Sequence, residues 1–370
     1  MSAPFKIFGD GFEKGALTQF NSALEQPFTV RGALMPDAHQ GYSLPIGAVV
    51  ATDGVVVPSW VGYDIGCGMC AVPTSFDRHD IYRHARGIYH QVYEEVPVGF
   101  KHNKRPCYPS KTKIQNYLSE AGVEIFTAKG GYKQLGTLGG GNHFIEIGMG
   151  LDEQVWIIVH SGSRGIGHGM ATHYMRLASP TGKASEGHFG FDVSSQEGRD
   201  YLMDQEFCLT FALENRLAIA RRTVRAITKY VEGEADLDRL INRNHNHAEK
   251  TGDVWIHRKG ATHAESGMMG VVPGNMMDGS FIVRGKGNPD ALWSSSHGAG
   301  RFMSRKQAKR EISVDDFEDM MDLAGVTANV CERTVDEAPL AYKNIYQVME
   351  HQEDLVEVVD HVRPIINVKG

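Results

Sequence analysis

Histidine carries much of the chemistry on offer in this sequence. There are 17, and several stand beside glycine, asparagine or aspartate instead of along a helical face. Loops of that kind are where metal ligands and acid–base groups are held. Six stretches matter. MPDAHQGYSLPIG sets Asp37 and His39 one residue apart, which in a strand puts both side chains on one face. GYDIGCGMC offers Asp64, Cys67 and Cys70, with glycines that could turn a carboxylate and a thiolate onto one ion. GGGNHFIE holds Asn142, His143 and Glu146, and VHSGSRG holds His160 and Arg164. NRNHNHAE brings His245 and His247. SSSHGAGRFMSR places His297 among small residues, with room for a bulky group to be attached, and follows it with Arg301 and Arg305. Those two arginines fall on one face if a helix begins there, and they suit phosphate oxygens. Cys67 and Cys70 also form a CxxC pair. A tetrahedral zinc site wants a second pair, which is absent, and a redox CxxC wants a helix that the flanking glycines disfavour.

These residues need elements to position them. Val155–Val159, VWIIV, reads as a buried strand ending at His160, and SGSRGIGHG as a glycine-rich loop opening into a helix over MATHYMRL. Ile46–Val57 carries two β-branched runs around Asp53-Gly54, the pattern of a hairpin. Tyr201–Val231 is the clearest long helix, with Leu217, Ala220, Val224, Ile227 and Val231 at steps of three and four. Phe281–Arg284 and Pro364–Val368 look like strands. Strands and helices interleave without a βαβ rhythm, so the expectation is an α+β fold, one large mixed domain over 1–370.

Composition bounds the function. A chain of 370 residues with 41% apolar and 22% charged residues can bury a sizeable core. No unbroken apolar run reaches the ~18 residues a membrane helix needs. Five cysteines at no framework spacing point to reduced thiols and a cytoplasmic protein with no membrane partner. A net charge of −7 excludes a generally basic nucleic-acid coat, so contact with RNA must come from a local patch. KHNKRPCYPSKTK at 101–113 is the best local candidate for one, and the sequence leaves open whether Arg216, Arg221 and Arg222 face RNA. There is no GxxxxGK[ST], and GIGHG lacks the full GxGxxG pattern.

PDAHQGYSLPIG, GYDIGCGM, GGGNHFIEI, HSGSRGIGH, RKGA, SHGAGRFMSR, DEAPLAYKNI and the terminal VKG stand in one order, and together they resemble the RtcB-type RNA ligases. That resemblance implies an enzyme that uses GTP and two manganese ions. It would join an RNA 3′-phosphate or 2′,3′-cyclic phosphate end to a 5′-hydroxyl end. Cys67 would bridge the ions, one also held by Asp64 and His143, the other by His160 and His245. His297 would accept GMP. Asn142, Arg164 and the backbone of Gly298, Ala299 and Gly300 would touch phosphates. Glu146, Ser280, Tyr342 and Lys369 would hold the guanine, with Asn275 nearby where a serine is common. Asp37, His39, Arg301 and Arg305 remain candidates for RNA or phosphate. Whether an archease-like activator is needed, and what His247 and His263 do, is left open.

Two other functions compete. The same cluster could serve a metal-dependent phosphoesterase that opens cyclic phosphates without GTP, with His297 as general acid. A non-catalytic RNA-binding protein is the third possibility, and the full ligand set argues against it.

Overall fold

The buried β-branched runs of this chain pair into two main sheets, described in a computed structural model over residues 2–109, 118–184 and 187–370. One sheet has the order Phe5–Ile7, Thr29–His39, Ile46–Thr52, Val254–Lys259, Asn246–Thr251. The larger runs Met269–Pro273, Ser280–Gly285, Val356–Lys369, Phe144–Met149, Val155–Ser161, Gly68–Pro73, Ile241–Asn244, with Thr327–Ala328 added in parallel on Val356–Lys369. Helices lie beside both sheets, an α+β arrangement.

The expected helix is present as Gln196–Ile227. Its Ser195 side chain accepts a hydrogen bond from the Gly198 amide, an N-cap that starts the helix before the expected point. The helix buries Ile219, Ala220, Ala226 and Ile227 against Val72, Ile157 and Val159 of the large sheet, and helix Arg78–Glu95 closes the same core with Ile81, Ile88 and Val92. Strands Gly68–Pro73 and Val155–Ser161 are buried along their whole length. This explains why they read as continuous apolar runs instead of alternating ones.

Three expectations change. The runs around Asp53-Gly54 do not form a hairpin: Ile46–Thr52 pairs with Thr29–His39 and Val254–Lys259, whereas Val55–Val56 pairs with Phe191–Asp192. The turn is real, but each run finds its own neighbours. GIGHG is not a loop, because the helix starts at Arg164 and runs to Ala178. Its small residues allow close packing, as at Gly167, where a Cβ would lie 1.9 Å from Ser163 Oγ. The expected strand Pro364–Val368 is the second half of a longer one, Val356–Lys369. Pro364 sits at the register shift where the strand passes from Ser280–Gly285 to Phe144–Met149, the position at which a proline costs least.

Of the basic run 101–113, residues 110–113 lie outside the described residues. Among the described residues, no helix is long and apolar enough to cross a membrane.

Candidate active site

Strand register builds the centre of the site. Phe144 pairs with His160, Met69 with His160, and Gly68 with both Ser161 and Asn244. His143, His160, Cys67 and His245 therefore arrive at one end of four adjacent strands, neighbours being ~4.8 Å apart. The His245 amide donates to Cys67 O at 2.7 Å and locks the row. Cys70 points into the core among Val72 and Val159, so the CxxC pair does not act as a unit.

The side chains converge. Cys67 Sγ lies 3.3 Å from His143 Nε2 and 3.2 Å from His160 Nε2. His143 Nε2 is 2.9 Å from Asp64 Oδ2, and His160 Nε2 is 3.4 Å from His245 Nε2. Two ligand groups result, Asp64/Cys67/His143 and Cys67/His160/His245, sharing the sulfur. Tautomers can be assigned. His160 Nδ1 lies 3.0 Å from Asn142 O, and a carbonyl can only accept, so Nδ1 carries the proton and Nε2 the lone pair. Burial holds the pKa of both His160 and His245 well below the usual histidine range, so their rings are neutral. Neutral imidazole nitrogens facing each other and a sulfur across 3.2–3.4 Å are what a cation would bring together. The donor set therefore fits divalent metal. Burial, then the neighbouring Asp64 carboxylate, raises the Cys67 thiol well above its ordinary value, so without a cation it keeps its proton.

Behind the row stands Arg216, fully buried. Its guanidinium donates to Gly66 O and Ser161 O at 2.9 Å each, to Asn242 Oδ1 at 2.6 Å and to Asn244 Oδ1 at 2.7 Å. One side chain thus ties together the three segments that carry Cys67, His160 and His245. Arg222 also turns inward, onto Gly136 O and Asn103, while Arg221 is exposed. Two of the three arginines considered for RNA are committed to the protein itself.

His297 follows the short strand Ser294–Ser296, paired with Ala261–His263. The Ala261 amide donates to His245 O at 3.2 Å, which fixes the nucleophile candidate relative to the ligand row. The rings of His245 and His297 meet edge to face with centroids 4.7 Å apart. Gly260, at φ +60°, leaves space for this: a Cβ there would lie 2.9 Å from His297 Cε1. Asp37, expected to face RNA or phosphate, is instead fully buried, with Oδ2 2.6 Å from His297 Nδ1 and 3.2 Å from the His297 amide. A buried carboxylate already accepting those bonds would repel a phosphate. It fixes the proton on Nδ1 and leaves Nε2 of His297 with a free lone pair. His39 lines the same space; burial lowers its pKa to about 4, and its Nδ1 bonds Asp37 O.

A cavity of about 200 Å³ opens on the other side of His297. His160, Asn142, Gly298, Ala299 and Gly300 form one wall. Glu146, Ser280, Tyr342 and Lys369 form another, with Asn367 and Glu337. Register accounts for the second wall, since Glu146 pairs with Asn367 and Phe144 with Lys369. Burial raises the pKa of Glu146 to about 8, against the opposing effect of Ser280, Asn367 and Lys369. Its Oε1 and the Ser280 hydroxyl are buried close to each other without a well-formed hydrogen bond, and a polar ligand would complete their bonding.

Glu337, in DEAPLAYKNI, drew no assignment from the sequence. It is buried and gathers Lys369 Nζ at 3.0 Å, Arg301 Nη1 at 3.3 Å, Arg305 and the Tyr342 hydroxyl. Burial alone would raise its pKa, but Lys369, Arg305 and Arg301 lower it to about 2. The signal in the sequence was a lone Asp-Glu pair inside an otherwise apolar stretch.

Several expected contacts need correcting. Arg301 and Arg305 do not share a helical face, because the helix begins at Arg305 behind the Ser304 N-cap, and both are engaged with Glu337. Arg164 faces a neighbouring cleft with Asp64 and His143, its side chain bonded to Thr137 Oγ1 and Gly99 O. Asn275 lines the cavity, but its amide is used in its own turn with Met277 and Asp278. The Ala299 amide is already given to Pro273 O, so that member of the turn cannot cradle a phosphate without moving. His247 and His263 stack with centroids 4.9 Å apart. They form a further group with Glu249. The buried Arg258 guanidinium already serves that group as its cation, bonding Glu249 and lying 3.3 Å from His247 Nε2.

A family model described as tRNA-splicing ligase RtcB matches residues 19–132 and 111–370. RNA-splicing ligase RtcB of Escherichia coli (strain K12) is 36% identical over 403 aligned residues, covering 100% of this chain and 98% of that protein. tRNA-splicing ligase RtcB of Aeropyrum pernix is 28% identical over 464, covering 100% and 96%. For tRNA-splicing ligase RtcB of Pyrobaculum aerophilum the identity is 30% over 428, covering 91% and 87%.

Proposed function

The chain belongs to the RtcB family and is an RNA ligase of tRNA splicing or RNA repair; on that premise we propose that it seals through a GMP-histidine intermediate on His297. GTP is the nucleotide, manganese the metal, and RNA 3′-phosphate or 2′,3′-cyclic phosphate and 5′-hydroxyl ends are the substrates. One observation carries this: the Asp37–His297 bond of 2.6 Å frees Nε2 beside His245, where the ligand row meets the cavity of Glu146 and Lys369.

Two divalent ions held by Asp64, Cys67, His143, His160 and His245 would neutralise the triphosphate and align the leaving pyrophosphate. The protein does the rest. Glu146 accepts from the N–H groups of a guanine, and Lys369, held by Glu337, donates to the ring. His297 Nε2 attacks the α-phosphorus, an N–P bond forms and the bond to pyrophosphate breaks. Asp37 holds the Nδ1 proton and stabilises the charge that develops on the imidazole. An oxygen of the RNA 3′-phosphate then displaces His297 from phosphorus, leaving an RNA-3′-pp-5′-G end. The 5′-hydroxyl attacks the RNA 3′-phosphorus and GMP departs. An archease-like partner would act on this cycle from outside.

Strands with 3′-phosphate and 5′-hydroxyl ends, incubated with the protein, manganese and with or without GTP, test the reading. Sealing that requires GTP and vanishes in His297→Ala supports it. Opening of a cyclic phosphate by His297→Ala without GTP, and no sealing by the wild type, would instead favour the phosphoesterase.

A further inference from the structure

The segment that delivers His297 is short and strained. Ser294–Ser296 pairs with Ala261–His263, three residues against three, in a sheet of two strands. A two-stranded ribbon of that length is marginal by itself. Just before it, Leu292 and Trp293 both have φ +51°, in the left-handed region that a β-carbon disfavours. Among the described residues they are the only adjacent non-glycine residues so placed. Such a turn persists only where its surroundings over-determine it. The Leu292 amide donates to Pro289 O at 3.1 Å and the Trp293 amide to Asn288 O at 3.0 Å, while Trp293 O accepts from the Ala264 amide at 2.8 Å. Leu292 O accepts from Ser294 Oγ at 2.9 Å and from Arg258 Nη2 at 3.3 Å.

Arg258, buried, reaches both sides of this joint. Its Nε donates to Ser294 Oγ at 2.8 Å, three residues before His297. Its Nη1 donates to Glu249 and to His247 Nε2 at 3.3 Å, two residues after His245. Register puts it there. His247 pairs with Arg258 and Asn246 with Lys259; the chain turns at Gly260, and Ala261 then pairs with Ser296. One guanidinium fork thus spans the strand that follows the ligand His245 and the strand that ends at His297. On its other side Glu265 Oε1 lies 3.7 Å from Nη2 and is itself bonded to His263 Nδ1 at 2.9 Å.

We propose that Arg258 is a positioning residue for His297, clamping the left-handed Leu292-Trp293 turn to the strand that follows His245. His247, His263, Glu249 and Glu265, two of them histidines whose part the sequence leaves open, are the groups that hold its guanidinium in place. Asp37 holds the ring and amide of His297; Arg258 holds the strand that brings them to the ligand row. The assignment rests on the GMP-histidine reading above and adds what aims its nucleophile. Attack on the α-phosphorus needs Nε2 within about 3.5 Å and in line, and a misplacement of about 1 Å costs on the order of 100-fold. Sealing of a strand that already carries GMP does not use His297 as nucleophile, so the two steps respond differently to a displaced ring.

Arg258→Met removes the clamp, Arg258→Lys keeps its charge and one donor, and Ser294→Ala removes a single acceptor. Two steps are read separately in the full-length protein with manganese: guanylylation of the protein by GTP, and sealing of a pre-formed GMP-capped strand to a 5′-hydroxyl oligonucleotide. Expected in Arg258→Met is a kcat for guanylylation lowered about 100-fold at an unchanged KM for GTP, with sealing of the capped strand within about threefold of wild type. Arg258→Lys should recover part of the loss, and Ser294→Ala should lower the same kcat about tenfold, which carries the test should Arg258→Met not fold. The low-field proton NMR resonance of His297 Nδ1–H, bonded to Asp37, reports the ring without any nucleotide and should shift or broaden in each variant. Equal losses in guanylylation and sealing, or unchanged guanylylation with an unchanged resonance, would overturn the assignment. Failure of the wild type to take label from GTP, with the resonance still sensitive to Arg258→Met, would sink the GMP-histidine reading and leave the positioning role standing.

Discussion

At the scale of single residues, the account turns on where protons sit. Asp37 accepts a hydrogen bond from His297 Nδ1–H at 2.6 Å, and without that carboxylate the other tautomer, with Nε2 blocked, becomes available. Asp37→Asn is expected to fold and to slow His297 guanylylation by at least about 100-fold, read as labelled protein over time. Glu146 gives a second prediction. With its pKa raised to about 8 by burial, it is largely protonated at pH 7, whereas a guanine needs the ionised form. Nucleotide affinity should therefore rise from pH 6.5 to 8.5, while in Glu146→Gln it stays flat; titration calorimetry at each pH decides this. The same shift bears on stability with the opposite sign. A carboxyl whose folded pKa exceeds its unfolded value costs stability as pH rises from about 4.5 to about 8. Residue types were legible in the sequence: Cys67, His143 and His297 stand in glycine-rich stretches, His160 ends a buried apolar run, and His245 lies in a polar stretch. The role of Asp37 was not, because its partner is 260 positions away and only the fold joins them.

At the scale of elements, strand register is the positioning device. Four neighbouring strands deliver Cys67, His143, His160 and His245 at one level, and Arg216 on the long helix bolts three of the segments together. Arg216→Met strips donors from two buried carbonyls and two half-buried asparagine side chains and should cost about 3 kcal/mol. Urea denaturation would show that loss, and the folded fraction should bind less metal per chain. The helix itself could be read from its apolar period, and strand Val155–Ser161 from its apolar run. The hairpin at Asp53-Gly54 misled because a turn signal says that the chain reverses, not which strand each arm will join. GIGHG misled because glycine is read as a helix breaker, yet here small residues let the helix sit close to its neighbours.

At the scale of the molecule, a chain of net charge −7 gathers one thiol, three imidazoles and a carboxylate at a single point. The donor set, one sulfur and three imidazoles with a carboxylate, is softer than manganese prefers. Added zinc is therefore expected to displace manganese and block guanylylation, visible as free manganese in the EPR spectrum and loss of label together. Persistence of activity with zinc bound would contradict the assigned ligands. The α+β class followed from the irregular order of strands and helices. The cavity behind His297 did not, since its walls come from segments as distant as Glu146, Ser280 and Lys369. The measurement that bears most directly on the central claim is the chemical mapping of nucleotide on the protein after incubation with [α-32P]GTP and manganese. The account predicts an acid-labile phosphoramidate on the peptide containing His297, lost in Cys67→Ala and in His297→Ala. Label on another residue, or label that survives in His297→Ala, would contradict it.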